Sequence, residues 1–146
     1  MTSNVWIEHT FRDIPNFYGV FSSDGIVPPF FYPSCCIVNF SREVEEGTHY
    51  VLLLYDHENT CTYFDPMDLD FIPEDISTYM STRFGKNISY IHYSIQNIFS
   101  NYCAIYCMFA CMLQFYNVPI KKHLKHISRS LYLEMMRRYW FFCAAY

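Results

Sequence analysis

Four side chains in this sequence have the types and the order needed for nucleophilic catalysis: His49, Asp65, Gln96 and Cys103. A thiolate attacks a carbonyl carbon, an imidazole manages the proton, and a carboxylate fixes the imidazole's orientation. A side-chain amide then stabilises the oxyanion that develops. Each group is uninformative alone. A cysteine on an apolar helix is more often an inert core thiol than a nucleophile, and a histidine at a strand start is more often a satisfied polar residue. Their joint meaning depends on whether the surrounding elements bring them together.

His49 opens the β-type run Tyr50-Val51-Leu52-Leu53-Leu54-Tyr55, and Thr60 to Asp65 forms a second run after the polar turn Asp56-His57-Glu58-Asn59. If Tyr55 pairs with Thr60, cross-strand partners sum to about 115, and His49 faces Asp65 or Pro66. A hairpin alone therefore unites the imidazole and the carboxylate. Ser100 or Asn101 can N-cap a helix from Tyr102 to Tyr116, which Pro119 prevents from continuing. Cys103 falls in the first turn, where the positive end of the helix dipole favours a thiolate and a neighbouring histidine adds to the effect. Gln96 lies upstream of Cys103, close enough along the chain to aim its amide at the oxyanion beside the Cys103 N–H.

The remaining elements form the frame. Trp6 to Phe17 reads as a short helix or irregular segment ending near Pro15, and Tyr18 to Phe21 as a strand closed by Ser22-Ser23-Asp24-Gly25. A proline-containing loop from Pro28 to Pro33 leads to a strand over Cys35 to Phe40, and Ser41 to Gly47 is a charged loop. The acidic stretch Asp68 to Asp75 starts a helix through Ile76 and Met80, with Glu74 and Asp75 in its first turn. Asn87 to Tyr93 is a further strand, and helices from Ile120 and through Leu131 to Cys143 finish the chain. The helix bearing Cys103 is apolar on every side, so it belongs at the centre.

Composition bounds the whole. A chain of 146 residues with 52% hydrophobic and 16% charged side chains is neither disordered, collagenous nor a coiled coil, and its length fits one domain over residues 1–146. Its longest apolar run, Tyr102 to Tyr116, is short for a bilayer and reads as a buried core helix. Met1 to Arg12 mixes Glu8, His9 and Arg12 with Trp6 and Ile7, so no secretory signal is expected.

The cysteines number 7, and Cys103, Cys107 and Cys111 recur at helical spacing rather than in a disulfide framework, which predicts a reducing compartment. A helix also spreads those three over about 12 Å, too far apart for one metal ion. Cys35 and Cys36 read as strand core residues.

Charge is lopsided. Residues 1–80 carry −11, with Arg12 and Arg42 as the only basic side chains, whereas residues 81–146 carry +7. Lys121, Lys122, Lys125 and Arg129 cluster in the second part and suit a polyanion such as DNA, or equally the solvated faces of two ordinary helices. Binding to DNA would weaken steeply with salt.

These pieces together resemble the adenain family of viral maturation cysteine proteases, found in adenoviruses, virophages and Polinton-type elements and placed in one clan with SUMO-specific proteases. Phe17-Tyr18-Gly19-Val20-Phe21 with Asp24 is similar to the family's N-terminal strand motif, and Ile37-Val38-Asn39 to the strand before its histidine. Gly47-Thr48-His49-Tyr50 is similar to its Gly-x-His-Trp, Tyr63-Phe64-Asp65-Pro66 to its aromatic-acid-Pro, and Gln96 to Cys103 to its nucleophile segment. The likeness spans Phe17 to Met112.

It implies an α+β fold with a mixed sheet flanked by helices, with His49 as base, Asp65 as its orienter, Cys103 as nucleophile and Gln96 in the oxyanion hole. It also implies precursor polypeptides of a virus as substrates, cleavage at glycine-containing sites, viral DNA as an accessory cofactor, no metal, and residence in the virion and the host nucleus or cytoplasm. Tyr50 and Ala104 stand where the family has Trp and Gly, and both are expected to shape the substrate cleft. The stretch between Cys61 and Cys103 has no cysteine for a disulfide to an activating peptide, so any such peptide would bind without one. Removal of ubiquitin-like modifiers, or a catalytically inactive binding module, are the alternatives.

Overall fold

The hydrophobic run of the expected hairpin lies at the middle of the sheet that carries the site. The computed structural model describes residues 4–44, 48–92, 94, 103–120 and 122. Its strands are β1 (Phe17–Ser22), β2 (Ser34–Asn39), β3 (Tyr50–Tyr55), β4 (Cys61–Phe64) and β5 (Ile88–Ile91), in the spatial order β1-β2-β3-β4-β5. The inner pairs β2–β3 and β3–β4 are antiparallel, and the outer pairs β1–β2 and β4–β5 are parallel. Helices α1 (Asn4–Phe11) and α3 (Cys103–Phe115) supply core residues on one face, and α2 (Glu74–Phe84) on the other. The fold is α+β, with a mixed sheet between helices.

Every residue of β2 and β3 is buried, which explains why their sequences read as unbroken apolar runs instead of alternating ones. Tyr50, Leu52 and Leu54 pack with α1 and α3, while Val51, Leu53 and Tyr55 pack with α2. Each fully buried aliphatic side chain contributes on the order of 1.5–3 kcal/mol, so these two strands anchor both cores. α2 presents Ile76, Met80 and Phe84 to its core at four-residue spacing and closes at Gly85, whose φ of 56° and N–H to the Ser81 carbonyl end the helix in the left-handed region. α3 buries residues around most of its circumference, in keeping with its apolar sequence. Among the described residues, no helix is long and apolar enough to cross a membrane.

Several expectations need correction. The pairs Leu52–Phe64, Leu53–Tyr63 and Leu54–Thr62 are one residue out of the expected register. Thr60 belongs to the turn, where its N–H donates to the His57 carbonyl and its hydroxyl accepts the His57 N–H. Thr60 is thereby removed from the strand, and the pairing slides by one. The acidic stretch before Glu74 is loop, because Pro73 keeps Ile72 out of helical conformation.

The structure joins Cys35 of β2 to Cys111 of α3 in a disulfide, with their Cα atoms 6.1 Å apart. Helical spacing gives no sign that an inward residue of a distant strand faces Cys111, and the pairing removes the ground on which a reducing compartment was expected. Tyr93 and the C-terminal helices from Leu131 lie outside the described residues.

Candidate active site

His49 immediately precedes β3 and Asp65 immediately follows β4, so both stand just past the same end of an antiparallel pair. The shifted register does not separate them, because neither belongs to the ladder and both side chains turn inward beyond it. His49 Nε2 lies 2.7 Å from Asp65 Oδ1, and both residues are buried.

The Asp65 carboxylate is fixed by its own turn. The Met67 N–H donates to Oδ1 at 2.8 Å, the Leu69 N–H to Oδ2 at 3.2 Å, and the Asp68 N–H to the Asp65 carbonyl at 3.0 Å. That turn requires Asp68 at φ 49°, a left-handed conformation that Asp tolerates better than most residues. Pro66 helps by holding its own φ near the value such a turn uses.

The imidazole is wedged from the opposite side. Phe40 meets it edge-to-face at 4.8 Å, the Phe40 N–H donates to the His49 carbonyl at 2.8 Å, and Phe71 packs on Phe40 at 5.7 Å. The strap between β2 and β3 is tied down by the Asp24 carboxylate, which accepts the Glu43 N–H at 3.1 Å, and by a hydroxyl contact between Ser41 and Thr48.

Cys103 is the first described residue of α3, and it lies near enough to His49 to raise the imidazole's pKa. With Nε2 committed to Asp65, Nδ1 is the ring nitrogen left for the sulfur. Burial pushes the imidazolium down, but hydrogen bonds and charge from Asp65 and Cys103 outweigh it and raise His49 from 6.5 to about 9. Since the folded value exceeds the unfolded one, the stability this arrangement contributes is complete below about pH 6.5 and lost as pH rises through about 9.

The other cysteines of α3 follow different courses. The Cys107 thiol donates to the Tyr50 carbonyl at 3.5 Å and burial holds it far above its ordinary pKa, while Cys111 is in the disulfide. One helix face thus carries a histidine-paired sulfur, an inert thiol and a crosslink in successive turns.

Tyr50 and Ala104, expected at the cleft, are both buried, and the Tyr50 hydroxyl donates to Asn4 Oδ1 of α1 at 3.0 Å. Lys122 is exposed. Gln96, Lys121, Lys125 and Arg129 lie outside the described residues.

Phe40, Phe71 and the amides of Met67 and Leu69 were not singled out from the sequence. The Pro66 and Asp68 pattern after Asp65 is a legible turn signal, whereas nothing local marks Phe40 as the neighbour of His49. No known family profile matches the chain, and no curated protein matches it at a significant level.

Proposed function

We propose that the chain is a cysteine endopeptidase of adenain type, acting on precursor polypeptides of a virus at glycine-containing sites. The observation that supports this reading is that His49, hydrogen-bonded to Asp65 at 2.7 Å, has Cys103 near enough to help raise the same imidazole. A structural histidine needs one good partner. One held by a buried, doubly anchored carboxylate and also beside a thiol is arranged for proton transfer.

In the proposed reaction, His49 takes the Cys103 proton and the thiolate attacks the scissile carbonyl carbon. The oxyanion is met by the Cys103 N–H and, as the family resemblance implies, by the Gln96 amide. The imidazolium protonates the departing amine, which leaves a thioester on Cys103. Water, deprotonated by His49, then releases the carboxylic acid and the proton returns to sulfur. The exposed Phe71 ring, reaching His49 through Phe40, gives an extended peptide an apolar surface beside the reacting atoms.

The test is cleavage of a glycine-containing peptide library, read by mass spectrometry across pH. Products should begin or end at glycine, and kcat/KM should fall on the alkaline side as His49 loses its proton near pH 9. Asp65→Asn removes a partner that raises His49, so the alkaline limb should move to lower pH and the plateau should drop. Cleavage after bulky residues alone, or a limb that Asp65→Asn leaves in place, contradicts the proposal.

A further inference from the structure

The hydrogen bond to Asp65 fixes one nitrogen of the His49 ring and leaves the plane of the ring undetermined. The χ2 torsion of histidine is broad, so an imidazole hung on a single bond can swing its other nitrogen through a wide arc. Proton exchange with Cys103 needs that second nitrogen held toward the sulfur. The charged and titratable groups around the ring do not supply the hold. Asp65 takes Nε2, Cys103 is the group to be met, and Cys107 of the same helix is turned to the Tyr50 carbonyl. The Tyr50 hydroxyl is turned to Asn4, Arg42 of the strap and Asp75 of α2 are paired with each other at 2.9 Å, and His92 beyond β5 meets Asp68 at 3.2 Å.

Phe40 remains. The antiparallel register of β2 with β3 runs to Asn39–Tyr50, and one residue further it sets Phe40 opposite His49, where the Phe40 N–H donates to the His49 carbonyl at 2.8 Å. Directly opposed residues of an antiparallel pair send their side chains to one face. The two rings meet there with centroids 4.8 Å apart and planes at 89°. That separation is at the close end of the range for aromatic pairs. Turning the imidazole out of this arrangement drives its atoms into the neighbouring ring or opens a gap beside it, so the contact resists rotation. Phe40 is itself held. Phe71 packs on its ring at 5.7 Å, and the half-buried side chain also packs against the core beneath α2. The chain on either side is tied, since Asn39 Oδ1 accepts the Ser41 N–H at 3.0 Å and the Ser41 carbonyl accepts the Ser23 N–H at 3.0 Å.

We propose that Phe40 is a positioning residue, whose ring sets the plane of the His49 imidazole so that Nδ1 stays directed at Cys103 while Nε2 is on Asp65. Its catalytic consequence rests on the endopeptidase reading, whereas its hold on the ring is measurable without turnover. Leucine at this position fills much of the same space but has no plane to impose. In Phe40→Leu the imidazole therefore keeps Asp65 and loses part of its coupling to Cys103.

The test is a cycle of four versions of the full chain, native, Phe40→Leu, Cys103→Ala and the double variant, with the His49 ring titrated by NMR. Burial lowers the His49 pKa while Asp65 and Cys103 raise it, so Phe40→Leu should lower the midpoint by on the order of one unit when Cys103 is present. In the Cys103→Ala background the same substitution should move the midpoint little, because the partner being lost is already gone. In a peptide-cleavage assay Phe40→Leu should lower kcat by on the order of 10²-fold, the effect of a small misplacement, with KM nearly unchanged. Phe40→Tyr keeps the ring and should restore most of the rate. Phe40→Met takes the place of the leucine variant should that chain fail to fold. Equal midpoint shifts in the two backgrounds, a rise in KM at constant kcat, or a tyrosine variant as slow as the leucine one overturns the positioning role. Equal shifts alongside cleavage by the native chain overturn that role alone and leave the peptidase reading standing. The expected shifts with no cleavage of any peptide by the native chain overturn the peptidase reading and leave Phe40 as the support of the ring.

Discussion

Cys103→Ala is expected to lower kcat for peptide cleavage by on the order of 10⁶, the scale on which a triad nucleophile is lost. The fold should survive the change. Cys103 lies in α3, alanine is a better helix former than cysteine, and only one sulfur leaves the side of His49. Cys107→Ala provides the contrast. That thiol lies one turn further along the same buried face and donates to the Tyr50 carbonyl, so its loss should reduce stability while cleavage persists. Purified variants compared by circular dichroism and a peptide-cleavage assay separate the two effects. Retained cleavage in Cys103→Ala would place the chemistry elsewhere.

His49→Ala should be about as damaging, because members of a triad act as a unit and their effects do not add. Two further consequences follow from the geometry. Alkylation of Cys103 by iodoacetamide at neutral pH should slow markedly, since the imidazole that draws off the thiol proton is gone. Asp65 is also left buried with only the Met67 and Leu69 amides as partners, which should cost on the order of 1–3 kcal/mol of stability. The stability deficit relative to the native chain should shrink as pH rises through about 9, where native His49 gives up its proton. Unchanged alkylation in a folded variant would mean that the two side chains do not cooperate.

Much of this arrangement was legible from local signals. The alternation of chain direction at Asp56 to Thr60 gives the β3–β4 hairpin, and the hairpin brings His49 and Asp65 together whether its register is shifted or not. Pro119 and the apolar run before it delimit the C-terminal end of α3, whereas Ser100, Asn101 and Tyr102, where its start is expected, lie outside the described residues. What the sequence withheld is long-range. The Cys35–Cys111 disulfide joins β2 to α3 across 76 residues of chain, and no periodicity in either element marks the partner. Phe40 reaches the imidazole because the antiparallel β2–β3 register, continued one residue past Asn39–Tyr50, sets it opposite His49. The parallel pairing of β4 with β5 is also long-range, and a parallel pair has no turn of its own to announce it.

The central claim is that Cys103 is a nucleophile activated by His49, and the most direct measurement is covalent capture. The native chain is treated at neutral pH with a peptidyl-glycine vinyl methyl ester, and the adduct is located by tandem mass spectrometry. Cys36, Cys61, Cys103 and Cys107 are all buried free thiols, so burial alone does not select among them. The account predicts one adduct, on Cys103, formed quickly in the native chain and slowly in His49→Ala. Labelling spread over the other thiols, or labelling of Cys103 at the same rate without His49, would contradict it.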